Sequence, residues 1–202
     1  MVRPLPRLPS PERADLRLVR GDEAAALDLG DFDGVFRRFA PYVATVARRL
    51  LGDETEVDDV VQDVFVEAHH GLLKIRQKAA LRGWLARICV RRCVRKLRYR
   101  KIRRALSLES SPDYTVLAAP GASPEEVALV SSVYRLLEQV GAEARVIWIL
   151  KFVEGESLDE IAVLAGCSKS TVQRRLRAVD GFLRERGVLR DSGVLQQRGV
   201  DG

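Results

Sequence analysis

The chain has 202 residues, 34 Lys and Arg against 28 Asp and Glu, a net charge of +6 and 47% hydrophobic residues. That is enough for one moderate core or two small ones, and it excludes global disorder. Three cysteines, Cys89, Cys93 and Cys167, are too few and too odd in number for a disulfide framework and point to a reducing compartment, so the expected location is the cytoplasm.

The first thirty residues carry prolines at 4, 6, 9 and 11 and basic residues with no apolar run behind them. They read as an extended leader over 1–30, neither a signal peptide nor a membrane span. From Phe32 to Leu51, Val35, Phe36, Phe39, Val43, Val46, Ala47 and Leu50 recur at spacings of three and four and stop at Gly52, which predicts an amphipathic helix. A second helix is expected from Glu56 to Gly71. Its apolar stripe is Val57, Val60, Val61, Val64, Phe65 and Ala68, and its other face shows Asp58, Asp59, Gln62, Asp63 and Glu67.

A third helix begins near Leu81. Trp84, Leu85, Ile88, Cys89, Cys93 and Leu97 form its apolar arc, while Arg87, Arg91, Arg95 and Arg98 fall together on another face. Within it, residues 91–104 hold nine Arg or Lys and no acid, whereas residues 53–67 hold seven acids and no base. Like charges at i, i+4 cost a helix a few tenths of a kcal/mol per pair. Neutralisation by a polyanion is one account of such a ladder; a solvated basic helix is the other. The acidic and basic segments are expected to meet partners of opposite charge.

From Ser107 the chain turns rich in Ser, Pro, Gly and Ala and loses its periodicity, reading as a flexible linker over 107–123. Ser123, Pro124, Glu125 and Glu126 then open a helix that carries Val127, Val130, Val133, Leu136 and Leu137, and another runs from Glu143 to Phe152. Next, Ser157 and Glu160 make a capping box over a short helix with Ile161, Ala162, Leu164 and Ala165 inward. Gly166 supplies the turn, and Ser168 caps a helix whose inner stripe is Val172, Leu176, Val179 and Leu183. This is helix-turn-helix spacing. The outward residues Ser168, Lys169, Ser170, Thr171, Gln173, Arg174, Arg175 and Arg177 suit phosphate and base-edge contacts in a major groove. An αα-hairpin with a basic face is the competing reading.

The expected fold is therefore all-α. It comprises a leader (1–30), a helical domain (31–106), a linker (107–123), a second helical domain containing the helix-turn-helix (124–187) and a tail (188–202). No strand-like alternation, Gly-rich phosphate loop, metal-ligand cluster or nucleophile with a placed base is visible, so neither an enzyme nor a cofactor is expected. Cys89 and Cys93, one turn apart with His69 and His70 earlier in the chain, invite a metal or redox reading. Their place on the apolar arc favours buried small residues, and the histidines are expected in solvent.

The order "DDVVQDVF", then "GWLARI", a basic helix, a linker and "STVQRRLRA" after a capping box resembles the extracytoplasmic-function group of the sigma-70 family of bacterial transcription initiation factors. The resemblance spans roughly Asp33 to Arg186. It implies that Asp58, Asp59, Gln62 and Asp63 dock on the β′ clamp helices of core RNA polymerase, with the β flap a further contact. It implies that Lys74, Arg76, Lys78 and Arg82 in the loop, with Trp84 behind, and Arg87, Arg91, Arg95 and Arg98 on the helix engage and melt the minus-ten promoter element. Unstacking a base costs a few kcal/mol, which phosphate contacts and a base pocket must offset. The helix-turn-helix would read the minus-thirty-five element, and an anti-sigma partner and residence on the nucleoid when polymerase-bound are also implied. The pattern departs where the family carries an Asn and an Asp after "WLARI" and this chain has Arg91 and Arg95, which implies an unusual minus-ten sequence or a greater reliance on phosphate contact. The alternative is a helix-turn-helix regulator that binds duplex DNA without acting as a sigma factor; an RNA-binding adaptor would leave the helix-turn-helix unexplained.

Overall fold

A computed structural model describes residues 28–75, 77–106 and 111–188. The leader up to residue 27, Arg76, the linker positions 107–110, the tail beyond 188 and the side chain of Lys74 lie outside the described residues.

Among the described residues the regular structure is helical throughout, with seven α-helices. Helix α1 (Phe32–Leu51) starts where the Asp31 carboxylate accepts the Gly34 N–H at 2.9 Å. It ends at Gly52, whose φ of 68° closes the helix in the left-handed region. The residues spaced at three and four in its sequence, Val35, Phe39, Val43, Val46, Ala47 and Leu50, are its buried side. Helix α2 (Val57–Gly71) buries Val57, Val60, Val64, Phe65 and Ala68 against it. Two short 3-10 turns, Leu72–Lys74 and Lys78–Ala80, lead into α3 (Leu81–Ala105). At about 1.5 Å per residue α3 is about 37 Å long, and it packs on both earlier helices to complete a three-helix bundle.

The second bundle holds α4 (Pro124–Leu137), α5 (Ala142–Phe152), α6 (Leu158–Ala165) and α7 (Lys169–Glu185). Both expected N-terminal signals are realised as capping boxes. Ser123 and Ser157 each accept the backbone N–H of the residue three on, Glu126 and Glu160, whose carboxylates accept the N–H of the capping serine in return. Helices α5, α6 and α7 pack on one another, and Trp148 of α5, expected in the core, is 3% exposed.

The two helical bundles are those expected, and two features go beyond the local reading. The buried residues of both bundles form one continuous cluster, because α5 and α6 lie against α3, and α5 also meets α1. The linker also contributes an anchor. Residues Tyr114–Leu117 form a 3-10 turn capped by Asp113, and Tyr114 is 1% exposed. A single aromatic between small residues has no periodicity to announce it, and its partners, Gly52 among them, lie far off in the chain. No described helix is long and apolar enough to cross a membrane.

Candidate nucleic-acid interface and the acidic face of α2

Positions 58, 59, 62 and 63 fall on one side of α2 because i, i+1, i+4 and i+5 share a helix face. Asp58, Asp59 and Gln62 are exposed and Asp63 is half-exposed. Asp58 and Gln62 rim an open apolar groove of about 570 Å³ between α1 and α2, walled by Phe32, Phe36, Val61 and Phe65 and closed at one end by His69 and His70. Phe36 meets Phe65 edge-on at 4.8 Å, and His69 meets Phe32 edge-on at 5.0 Å. Local sequence reading placed Phe36 in the core, whereas it is 39% exposed at the groove; the histidines are exposed, as expected. The signal for the groove was the pair Phe32 and Phe36, four residues apart at the edge of the α1 stripe.

The other edge of α2 zips to α3. Arg92 reaches Asp63 at 3.3 Å and Glu67 at 2.6 Å, Lys96 reaches Asp59 at 3.0 Å and Glu56 at 3.8 Å, Arg95 lies 3.7 Å from Asp63, and Arg91 pairs with Glu67. Deeper in, Arg100 is 2% exposed and donates to the Leu51 carbonyl at 3.1 Å and to Asp53 at 3.0 Å. The acidic and basic segments, expected to face different partners, therefore neutralise one another in part. Exposed ion pairs contribute at most about 1 kcal/mol each, so this network aligns α2 with α3 more than it stabilises the fold. Arg87, Arg91, Arg95 and Arg98 are nonetheless all exposed along α3, with Arg98 paired to Glu143 of α5.

Ahead of α3, Lys78 is exposed, whereas Arg82, expected in the loop, lies in the first turn of α3, half-buried with its guanidinium 4.3 Å above the Tyr42 ring. Burial raises the Tyr42 phenol well above its ordinary value, and Arg82 opposes that shift. Trp84 packs behind the loop against Gly71, where an added Cβ would come within 2.7 Å of the indole.

In the C-terminal bundle, Gly166 turns the chain at φ 64°, and the Ser168 hydroxyl accepts the Thr171 N–H at 3.3 Å to start α7. Val172, Leu176, Val179 and Leu183 are buried as the spacing requires. Ser168, Lys169, Ser170, Arg174 and Arg177 are exposed, and Thr171, Gln173 and Arg175 are half-buried. Lys169 pairs with Asp159 of α6 at 2.9 Å. From behind, the Trp148 indole N–H donates to Asp180 at 3.1 Å, fixing α7 on α5. Burial raises the Asp180 carboxyl, and the indole bond opposes it.

Cys89 and Cys93 are fully buried with sulfurs 4.0 Å apart. The hydrogen bond with Cys89, together with burial, pushes the Cys93 thiol up, the reverse of what a reactive thiolate needs.

The family model for sigma-70 region 2 matches residues 35–103, and that for sigma-70 region 4 matches residues 131–178. The chain is 31% identical over 164 residues to the ECF RNA polymerase sigma factor SigM of Mycobacterium tuberculosis, covering 81% of this chain and 80% of that one. It is 30% identical over 175 residues to the RNA polymerase sigma factor CnrH of Cupriavidus metallidurans, covering 83% and 91%. Among solved structures, CnrH in complex with the cytosolic domain of CnrY superposes with a TM-score of 0.53 at 30% identity, over 81% of this chain and 92% of that one. The fold is also that of the sigma factor RpoE in complex with the anti-sigma factor NepR from Bartonella quintana, with a TM-score of 0.55 at 21% identity over 77% and 95%.

Proposed function

Since the chain belongs to the extracytoplasmic-function sigma factors of the sigma-70 family, we propose that it binds core RNA polymerase through the outward face of α2 and directs the enzyme to promoters read by its two bundles. The observation that carries this reading is the pairing, on one chain, of an acidic face rimming an apolar groove with a separate basic recognition helix. A regulator that only binds duplex DNA has use for the second and none for the first.

In this reading Asp58, Asp59, Gln62 and Asp63 meet basic groups of the polymerase clamp, and the groove beside them takes an apolar side chain from the same partner. Charged groups at such a rim steer the encounter, while a desolvated apolar anchor slows release. The exposed edge of α3, Arg87 to Arg98, and Lys78 before it follow the backbone of the minus-ten strand. Arg91 and Arg95, each already near a carboxylate of α2, act on phosphate. From α7, Gln173 and Arg174 reach base edges of the minus-thirty-five duplex, with Ser168, Lys169 and Ser170 at the helix N-terminus on phosphate. An anti-sigma factor is the expected antagonist.

The test is transcription from a random-promoter library by purified core RNA polymerase with and without the protein. New start sites that depend on the protein, with an enriched minus-ten sequence, are expected. No new starts together with no binding to core polymerase would overturn the reading.

A further inference from the structure

Where the end of α3 meets α4 and α5, positive charge collects around a small cavity. Arg100, Lys101 and Arg104 of α3 and Arg145 of α5 line it, with Glu138 as the carboxylate among them. The acids at hand are already engaged. Glu138 pairs with Arg104 at 2.8 Å and also accepts the Ser111 hydroxyl at 2.9 Å and the Tyr114 hydroxyl, while Arg100 holds Asp53 and Glu56. Arg145 is 3% exposed, yet it donates to neutral groups, the Leu51 carbonyl at 2.9 Å and the Tyr114 hydroxyl at 3.5 Å. Arg100 donates to that same carbonyl at 3.1 Å, which sets two buried guanidiniums side by side. The exposed Lys101 donates to the Gln139 carbonyl at 3.5 Å. Neither Arg145 nor Lys101 has a carboxylate partner among the described residues.

Two further features make this space a receptor for negative charge. Helix α5 begins here: its first residue, Ala142, lines the cavity, and Gly141 before it has no side chain with which to cap the helix. The first N–H groups of α5 therefore lack an intrahelical partner and carry the positive end of the helix dipole. The Nε atoms of Arg145 and Arg104 are buried with no hydrogen-bond partner among the described residues. A buried cation without a counter-charge is strongly unfavourable. An anion in this cavity supplies both the charge and the missing acceptor.

Size selects the ion. The cavity has about 20 Å³ of free space, room for one water-sized sphere. A phosphate or sulfate is too large for it, and the side chains of Leu97, Leu137 and Val140 on its wall offer no donors to satisfy a set of oxygens. A weakly hydrated monatomic anion gives up the least on leaving water for such a place. We propose that this cavity is a halide site, filled by chloride held between the Arg145 Nε, Lys101 and the N-terminus of α5. The site is independent of the sigma-factor reading. One counter-ion there ties the end of α3 to α4 and α5, so the folded chain is stabilised as halide fills it.

The experiment is thermal unfolding of the full chain in sodium chloride exchanged against sodium gluconate at constant ionic strength, which holds general screening fixed. The width of the chloride NMR line is read in parallel on the folded protein. The melting temperature is expected to rise with chloride and to saturate, and the protein to broaden the chloride line. Lys101→Gln, at an exposed position of the site, should weaken chloride binding about tenfold. Arg37→Gln, an equal loss of charge on the exposed surface of α1, should leave it unchanged. Ala142→Asp builds the anion into the start of α5. It should bring the melting temperature in gluconate close to that of the unsubstituted protein in saturating chloride, and abolish both chloride responses. A melting temperature that is the same in gluconate and chloride, or that rises without saturating, overturns the site. So does a response that Arg37→Gln weakens as much as Lys101→Gln, or that a folded Ala142→Asp protein retains. Should Ala142→Asp not fold, the contrast between Lys101→Gln and Arg37→Gln decides.

Discussion

At the residue scale, four positions on α2 share one face but not one situation. Asp59 and Asp63 lie within reach of Lys96, Arg92 and Arg95 of α3, whereas Asp58 and Gln62 border the apolar groove. Charge reversal therefore separates docking from alignment. Asp58→Arg is expected to weaken core polymerase binding at least tenfold, about 1.4 kcal/mol, with an unchanged melting temperature. Asp63→Arg should weaken binding and also lower stability by up to about 1 kcal/mol, the range of exposed ion pairs, because it sets a third guanidinium beside Arg92 and Arg95. Binding titrations and thermal melts on the two variants check this, and equal melting losses would mean that Asp58 has a structural partner. The acidic face itself was legible in the sequence because 58, 59, 62 and 63 follow helical spacing. Its pairing with α3 was not, since Glu67 and Arg92 are 25 positions apart and nothing local links them.

At the element scale, what the sequence made plain is what a helix carries within itself. The stripe and the terminating Gly52 defined α1 from Phe32 to Leu51, and the serine and glutamate pairs marked the starts of α4 and α6. Contacts between elements were less accessible, and the seat of the recognition helix is an instance: Trp148 read as core from its neighbours, but nothing near it named Asp180 as the partner of its N–H. That bond is a polar link between α5 and α7. Trp148→Phe keeps an aromatic body and removes the donor, leaving a buried carboxylate without it, which costs about 1–3 kcal/mol. The sign with pH follows from the raised carboxyl. Asp180 holds its proton more tightly in the folded chain than its ordinary value allows. Its contribution to stability is therefore fully present below the ordinary value and is lost as pH rises through the folded one. Without the indole the folded value rises further, so the loss in Trp148→Phe should be small in acid and grow towards neutral pH. Urea unfolding of both proteins at acidic and neutral pH measures it, and a loss independent of pH would assign the effect to packing.

At the scale of the whole molecule, the net charge of +6 understates how unevenly free cationic surface is distributed. Much of the basic stretch of α3 is engaged by Asp59, Asp63 and Glu67 on one side and by Glu138 and Glu143 on the other. The dense run of arginine that dominates the sequence is thus in large part an assembly feature, and the recognition helix, with fewer cations, presents Arg174 and Arg177 to solvent. This sets an expectation for duplex binding. Each phosphate neutralised by a side chain adds about 0.9 to the slope of log affinity against log salt. Arg177→Ala, a turn further from the helix N-terminus, is expected to lower that slope by about one and to weaken all sequences alike. Arg174→Ala, at the position suited to a guanine edge, should leave the slope nearly unchanged and cost about 1–3 kcal/mol on the preferred minus-thirty-five sequence alone. Titrating both variants against preferred and scrambled duplexes over a range of salt separates the two roles. If both lower the slope and neither alters preference, α7 holds the duplex by its backbone, and sequence discrimination must come from the minus-ten side.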